Sequence, residues 1–411
     1  MLKNRLVATS AMLLFAVLIA FAGSNPSATA TATQEIGVLK CRLLSRDLDL
    51  VLKELCPEVK WSDWYRRESG YVPHPDHFGA YVTLPVGNVL YIGLGSARPA
   101  EGTGDGALVA SLDGDTLESI GPLTEQGCHD MLWYEDTLHI AGTDPCCGGG
   151  WSAGNHYTYT PREAIVKHRD PAHGLVEVVH TWGMWMSDEG VLYAAVSSVH
   201  SGASTGEILR STDNGVTWTK LSKLGAYRAY DIFGFQGRLY ALYSDVLGGP
   251  LTLAVSKDGG ETWTDIIADD AHLFRLVEFR DRLLVTSWDR TSIYAVGGSA
   301  AVRYDLPEGV VLGTTYASGR NYNYNLLSVA NRHLYTIWEE DRGGSVQYSI
   351  VHTRDLLNWE RLVATEKQLI SLSFWQARHW CIVSEHGADA KLWKLELPFA
   401  LWLPVIQQHP E

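Results

Sequence analysis

Four residues carry side chains suited to moving a proton or holding an anion: His129, Asp130, Tyr230 and Arg275. Histidine and tyrosine serve as general base and acid, arginine grips a carboxylate, and aspartate orients either partner. Another group suits ligand binding: Asp144, Trp151, His156, His180, Trp182, Arg228, Tyr324 and Trp288. Trp and Tyr rings offer flat faces on which a pyranose can lie, with a polar edge for hydrogen bonding. Asn155, His200, Asp231, Asp289, Tyr322, Glu339 and Glu340 are further polar candidates. The combination suits binding or processing of a carbohydrate. One variant is a lyase step, in which His129 and Tyr230 move the proton α to a uronate carboxylate held by Arg228 or Arg275. Another is a non-catalytic surface for a protein partner. No Cys-x-x-Cys or His-Glu-x-x-His spacing accompanies these residues, and Gly148-Gly149-Gly150 is not followed by Gly-Lys-Ser/Thr. Neither a metal nor another cofactor is therefore expected.

Such residues converge only if a repeating scaffold positions them, and the chain has one. Ser211-Thr-Asp213-Asn-Gly215-Val-Thr217-Trp218 returns as Ser256-Lys-Asp258-Gly-Gly260-Glu-Thr262-Trp263, 45 residues later. A second repeat is a short strand around a Leu-Tyr-like pair, at Leu90, Leu138, Leu192, Leu239, Leu283, Leu334 and, more loosely, Trp380. The intervals are 48, 54, 47, 44, 51 and 46 residues. A four-stranded propeller blade occupies about 40–50 residues. Seven such strands predict an all-β fold, a seven-bladed β-propeller of four-stranded antiparallel blades, with six blades as the alternative. Within each unit the first strand alternates apolar and polar residues, as in Ala229–Phe235, and a tight turn such as Gln236-Gly237 or Asp281-Arg282 follows. In this order the first-to-second and third-to-fourth turns share one face. The second-to-third loops share the other face and are long at 95–106, 143–155 and 197–206. Function concentrates on elaborated loops, so the candidate site is expected at that face, at the mouth of the central channel. The last unit needs an outer strand, expected at Ala400–Pro404 or near Ile36–Leu39, and Asp47–Cys56 reads as a short helix.

The Ser-x-Asp-x-Gly-x-Thr-Trp template has a local logic. Serine and aspartate oxygens can tie down a hairpin backbone, glycine supplies a positive φ, and the tryptophan packs between sheets. Ser211, Asp213, Gly215, Trp218, Ser256, Asp258, Gly260 and Trp263 are accordingly read as structural. Degenerate copies stand at Ser111–Asp115 and Thr353–Trp359. The template resembles the Asp-box (BNR) repeat of sialidase-like β-propellers. That resemblance implies glycan binding, glycan hydrolysis, polysaccharide lysis or a non-enzymatic assembly role. The Arg-Ile-Pro signature of sialidases is absent, so true sialidase activity is not expected.

Composition sets the outer limits. Lys3 and Arg5, the apolar run Leu6–Ala22 and the small residues that follow read as a signal peptide over 1–32. A lead-in spans 33–74 and the propeller 75–411, and the mature chain is expected outside the cytoplasm, secreted or extracytoplasmic. The formal net charge of −14 argues against nucleic-acid partners. A carbohydrate or other small polar ligand is the expected partner, with a protein as the alternative. Six cysteines in an exported chain permit disulfides, with Cys41 and Cys56 as the local pair and Cys146-Cys147 as an unusual neighbouring pair.

Overall fold

The structure is a computed structural model that describes residues 37–401, apart from 75–77, 97–105, 126, 144–155, 169–173, 176, 201–202, 273–274, 299, 314–324, 388 and 399–400. The signal segment expected over 1–32 lies outside the described residues.

Local chemistry sets the hairpins. The first turn of several units places two residues at positive φ: Glu135-Asp136 (43° and 59°), Gln236-Gly237 (50° and 69°) and Asn331-Arg332 (48° and 62°). Two left-handed residues in succession make the tight turn whose twist matches that of the flanking strands. In the fifth unit, Phe279 pairs with Arg282, so Arg280-Asp281 turns the chain rather than Asp281-Arg282.

Hydrogen bonding gathers the described strands into six sheets. The first is a meander of Phe78–Val86, Val89–Ser96, Ala107–Asp113 and Thr116–Leu123. An eight-stranded sheet follows, built from two meanders. One runs through Gly127–Tyr134, Thr137–Thr143, His156–Tyr159 and Val166–His168. The other runs through Val178–Met186, Leu192–His200, Ala203–Ser211 and Thr219–Gly225. The single pair His180–Thr143 joins them. The next sheets comprise Arg228–Phe235 to Thr264–Ala271, then Val277–Phe279 to Ala300–Asp305, then Val310–Leu312 to Asn358–Thr365. Leu369–Trp375, Trp380–Glu385 and Leu392–Glu396 come last. Neither seven nor six separate four-stranded sheets is observed. The reason is physical: His180 reaches across to Thr143 and fuses two neighbouring units into one ladder.

The N-terminal segment corrects two further expectations. Gly37–Lys40 pairs in parallel with the outer strand Ala300–Asp305. Arg42–Asp47 does the same on Asn358–Thr365. Leu52–Glu54 pairs antiparallel with Leu392–Glu396 and is the outer strand of the last sheet. Asp47–Cys56 is thus not a helix; Leu43, Leu48, Leu50 and Leu52 instead pack on the core shared by the last three sheets. The helix lies later, at Trp61–Ser69, burying Trp61, Trp64 and Tyr65 at helical spacing before Gly70 ends it in the left-handed region. The segment 197–206 is not an enlarged loop either, since Ser197 pairs with Gly206 and His200 with Ala203 in a long hairpin.

Side chains close the ring between first and last sheets. Ala80 N–H donates to Ser384 Oγ at 3.1 Å, Ser371 Oγ donates to Ala80 O at 3.0 Å, and Trp375 Nε1 donates to Gly87 O at 3.0 Å. The Ser-x-Asp turns behave as their chemistry requires. Ser211 Oγ receives Gly215 N–H at 2.9 Å, Asp213 receives Thr217 N–H at 2.8 Å, and Trp218 Nε1 donates to Gly215 O at 3.0 Å. Ser256, Asp258, Gly260, Thr262 and Trp263 repeat the pattern at 2.8, 2.9 and 3.1 Å. Cys41, Cys56, Cys128 and Cys381 are free thiols, so the expected Cys41–Cys56 disulfide is absent. Cys41 is used otherwise: buried, it donates to Leu356 O at 2.9 Å, and burial pushes its thiol up to about 12. Cys146 and Cys147 lie outside the described residues. No helix among the described residues is long and apolar enough to cross a membrane.

Candidate functional site

The innermost strands share an irregularity. In each of four neighbouring units one residue bulges out of the first hairpin ladder: Tyr81, His129, Trp182 and Tyr230. The last sheet places Ile370 in the same slot. A bulge inserts one residue opposite none, bends the strand and re-aims the extra side chain. Here the four re-aimed rings meet in series. Tyr81 and His129 lie 5.5 Å apart between centroids, His129 and Trp182 5.5 Å, and Trp182 and Tyr230 5.3 Å. His180 stacks on Trp182 at 4.7 Å and 12°, while Trp182 Nε1 donates to Ser197 Oγ at 2.8 Å. The Arg228 guanidinium lies over Trp182 at 5.2 Å and over Tyr227 at 4.6 Å. Exposure rises along the row: 1% at Tyr81, 4% at His129 and 7% at Trp182, whereas Tyr227, Arg228 and Tyr230 are half-buried. Ligand access therefore belongs to the Arg228–Tyr230 end.

One residue further along each strand is a second, charged cluster. Arg275 pairs with Asp130, lies 3.6 Å from Asp231, and donates through Nη2 to Met184 O at 3.3 Å. Asp130 also accepts Met184 N–H at 2.6 Å, and Asp231 accepts Leu276 N–H at 2.7 Å and Ile232 N–H at 3.0 Å. Gly183 fills the equivalent position in the unit between them, where a Cβ would lie 2.4 Å from Asp231 Oδ1. One guanidinium thus serves two buried carboxylates. Burial drives Asp130 up to about 6 against the pull of Arg275, with repulsion from Asp231 adding to the rise. Burial raises Asp231 in the same way. Among the rings, burial pushes His129 down to about 3, with His180 adding to the effect, and raises the Tyr230 phenol.

The structure brings His129, His180, Trp182, Arg228 and Tyr230 into one row, and Asp130 and Arg275 into the cluster beside it. Trp288, 38% exposed, sits against His272 at 5.3 Å on the fifth unit, and its ring makes no contact with the row among the described residues. His156 is misplaced by the sequence reading. It is fully buried in the seam between two units, where it accepts or donates at 3.0 Å to His139, contacts Gly215 O at 3.1 Å, and meets the Trp218 ring at 5.4 Å. His200 bridges Glu177 and Glu207, Asp289 caps its own turn through Ser287 and Thr291, and Glu340 pairs with Arg361 and Arg342. Asp144, Trp151, Asn155, Tyr322 and Tyr324 lie outside the described residues. Tyr81 and Tyr227 were not singled out from sequence. The signal for Tyr81 was its position: it occupies the same place in the first unit as His129 in the second. No cluster of His, Cys, Asp and Glu among the described residues is arranged to hold a metal ion.

The inner strands at an axis, antiparallel sheets radiating from it, and closure of last onto first define a β-propeller. No protein-family model matches the sequence, and no curated protein matches it. Solved structures do. Two of puromycin hydrolase superpose with TM-scores of 0.51 and 0.52 at 11% and 13% identity, covering 78% and 75% of this chain. The chain spans about half the length of those hydrolases, 52% and 50%. The propeller domain of the Trilobed protease from Pyrococcus furiosus aligns at 6% identity and a TM-score of 0.48, over 78% of this chain and 96% of that one. At such identities the likeness shows the fold alone.

Proposed function

We propose that this protein is an exported, carbohydrate-binding β-propeller of the Asp-box group, with seven blades, and that its ligand seats on Tyr227, Arg228 and Tyr230. The observation that carries this reading is the matched bulge in four successive inner strands, which assembles an aromatic and imidazole row with a cation at its open end. Aromatic faces with a convergent polar group are the usual furniture of sugar sites. Seven blades follow if the eight-stranded sheet is two blades joined at His180–Thr143. The two Ser-x-Asp turns support the Asp-box relation, and the apolar leader supports export.

Binding is favoured over turnover. A lyase or hydrolase needs a base that titrates near its working pH. His129 is driven far below that range, the Tyr230 phenol lies above its ordinary value, and Asp130, although raised to about 6, is buried and paired with Arg275. The test is a glycan array on the mature chain, followed by titration monitored through Trp182 fluorescence, since Tyr230 lies 5.3 Å from that ring. Saturable binding that Tyr230→Ala and Arg228→Ala each weaken, with folding intact, is the expected result. Binding unaffected by both variants, or no glycan bound by a folded protein, refutes the proposal.

A further inference from the structure

A second concave site lies away from this row. A cavity of about 360 Å³ opens between the fifth sheet, the strand-crossing segment 44–48 and the end of the last sheet. That volume is within the range of small-molecule sites, roughly 300–1,000 Å³. Leu44, Leu48, Pro398 and Leu401 form its apolar wall. The opposite wall is polar and contains His333, His352, Arg354 and Glu360.

The hydrogen bonds on the polar wall decide what it can receive. His333 Nδ1 faces Asn331 O at 3.0 Å, which fixes the proton on Nδ1. Its Nε2 then accepts from Arg354 Nε at 2.6 Å. This holds the guanidinium by one edge, and its Nη atoms have no hydrogen-bond partner among the described residues. Two anionic neighbours share this wall. Glu360 lies 3.4 Å from His352 Nε2, an ion pair only when that imidazole is protonated. Asp355 accepts Leu357 N–H at 2.9 Å, Asn358 N–H at 2.7 Å and Asn358 Nδ2 at 2.6 Å, within its degenerate Ser-x-Asp-like turn. Arg354 therefore remains as a pre-aligned planar fork at the edge of an apolar slot.

We propose that this cavity binds a small amphipathic carboxylate, its head on the Arg354 Nη pair and its hydrocarbon part between Leu48 and Leu401. A carboxylate is the head group whose two oxygens match a guanidinium fork. The site is separate from the Tyr227–Tyr230 surface and does not depend on the glycan reading.

Hexanoate, hexanol and hexylammonium serve as probes of equal chain length, with saturation-transfer NMR and thermal shift on the full chain as readouts. Saturable hexanoate binding is expected, weaker by about tenfold or more for the other two probes. Arg354→Gln should abolish it. Arg354→Lys keeps the charge but not the fork and should weaken it. Leu48→Asp should block it. Tyr230→Ala should leave it unchanged, which separates this site from the glycan surface. Hexanol binding as well as hexanoate, or hexanoate binding that survives Arg354→Gln in a folded protein, overturns the proposal. So does the absence of saturable hexanoate binding to the native chain.

Discussion

Acidification should destabilise this fold steeply, and His156 shows why. Its Nδ1 faces Gly215 O at 3.1 Å, so Nδ1 carries the proton. Its Nε2 lies 3.0 Å from His139 Nδ1 and accepts from it. Both ring nitrogens are thus satisfied in the neutral state, and a second proton would break the bond from His139 inside a fully buried seam. Burial accordingly holds His156 well below its ordinary value and His139 down to about 4, as it holds His129 and His272 to about 3. The sign follows from proton counts. Below about pH 6.5 the unfolded chain protonates these four histidines while the folded chain does not, so stability falls with pH until the folded values are reached. Two groups oppose this. Asp130, at about 6, and Asp231, also raised, take up protons in the folded state before the unfolded one. Four protons, with a further contribution from His333, which burial and the nearby Arg354 also hold below its ordinary value, less at most two leave a net difference of about two or more. That corresponds to a loss of about 3 kcal/mol per pH unit near pH 5.5. The depressed carboxylates Asp213, Asp258 and Glu207 contribute stability that is lost only below about pH 4, outside this window. Urea unfolding followed by tryptophan fluorescence across this range measures the slope. His156→Gln, whose amide can both donate and accept, should shallow the slope by about one proton, or about 1.4 kcal/mol per pH unit. A flat profile between neutral and mildly acidic pH, or a slope identical in His156→Gln, would refute the reasoning.

Three other perturbations test the architecture. Arg275→Met leaves Asp130 and Asp231 buried without their shared cation and should cost about 3–5 kcal/mol in urea denaturation; adding Asp130→Asn and Asp231→Asn should recover part of the loss. Gly215→Ala and Gly260→Ala both force an L-residue into the left-handed region, at φ 82° and 100°, which costs about 1 kcal/mol. Only at Gly215 would the new Cβ also strike a buried imidazole, 2.2 Å from His156 Cε1, so its unfolding midpoint should fall further, by about 1–3 kcal/mol. Deleting residues 37–54 removes the outer strands of the last three sheets and bares their edges. Light scattering should then report association of the truncated chain, whereas a monomeric, equally stable product would mean the strap is dispensable.

Much of the scaffold was legible because its signals are local. Turn residues, alternating strands and the Ser-x-Asp-x-Gly-x-Thr-Trp template act within a few positions and sit where their chemistry places them, save that the fifth unit turns at Arg280-Asp281 rather than one residue later. The N-terminal strap was not legible, because Leu43, Leu48, Leu50 and Leu52 alternate only loosely and pair with strands more than 250 residues away. His156 was assigned to the ligand face from its place after a long loop; only the neighbouring unit, through Gly215 and Trp218, reveals it as part of a buried seam.

The sequence alone determined that the chain repeats, that the repeat is a short antiparallel unit, and which turns hold it. Tertiary structure decided which side chains meet. A bulge shifts one residue across the pleat, so Tyr81, His129, Trp182 and Tyr230 turn towards one another, while Asp130 and Asp231, one step along, turn towards Arg275. That shift depends on how neighbouring sheets pack around the axis, and no short stretch of residues encodes it.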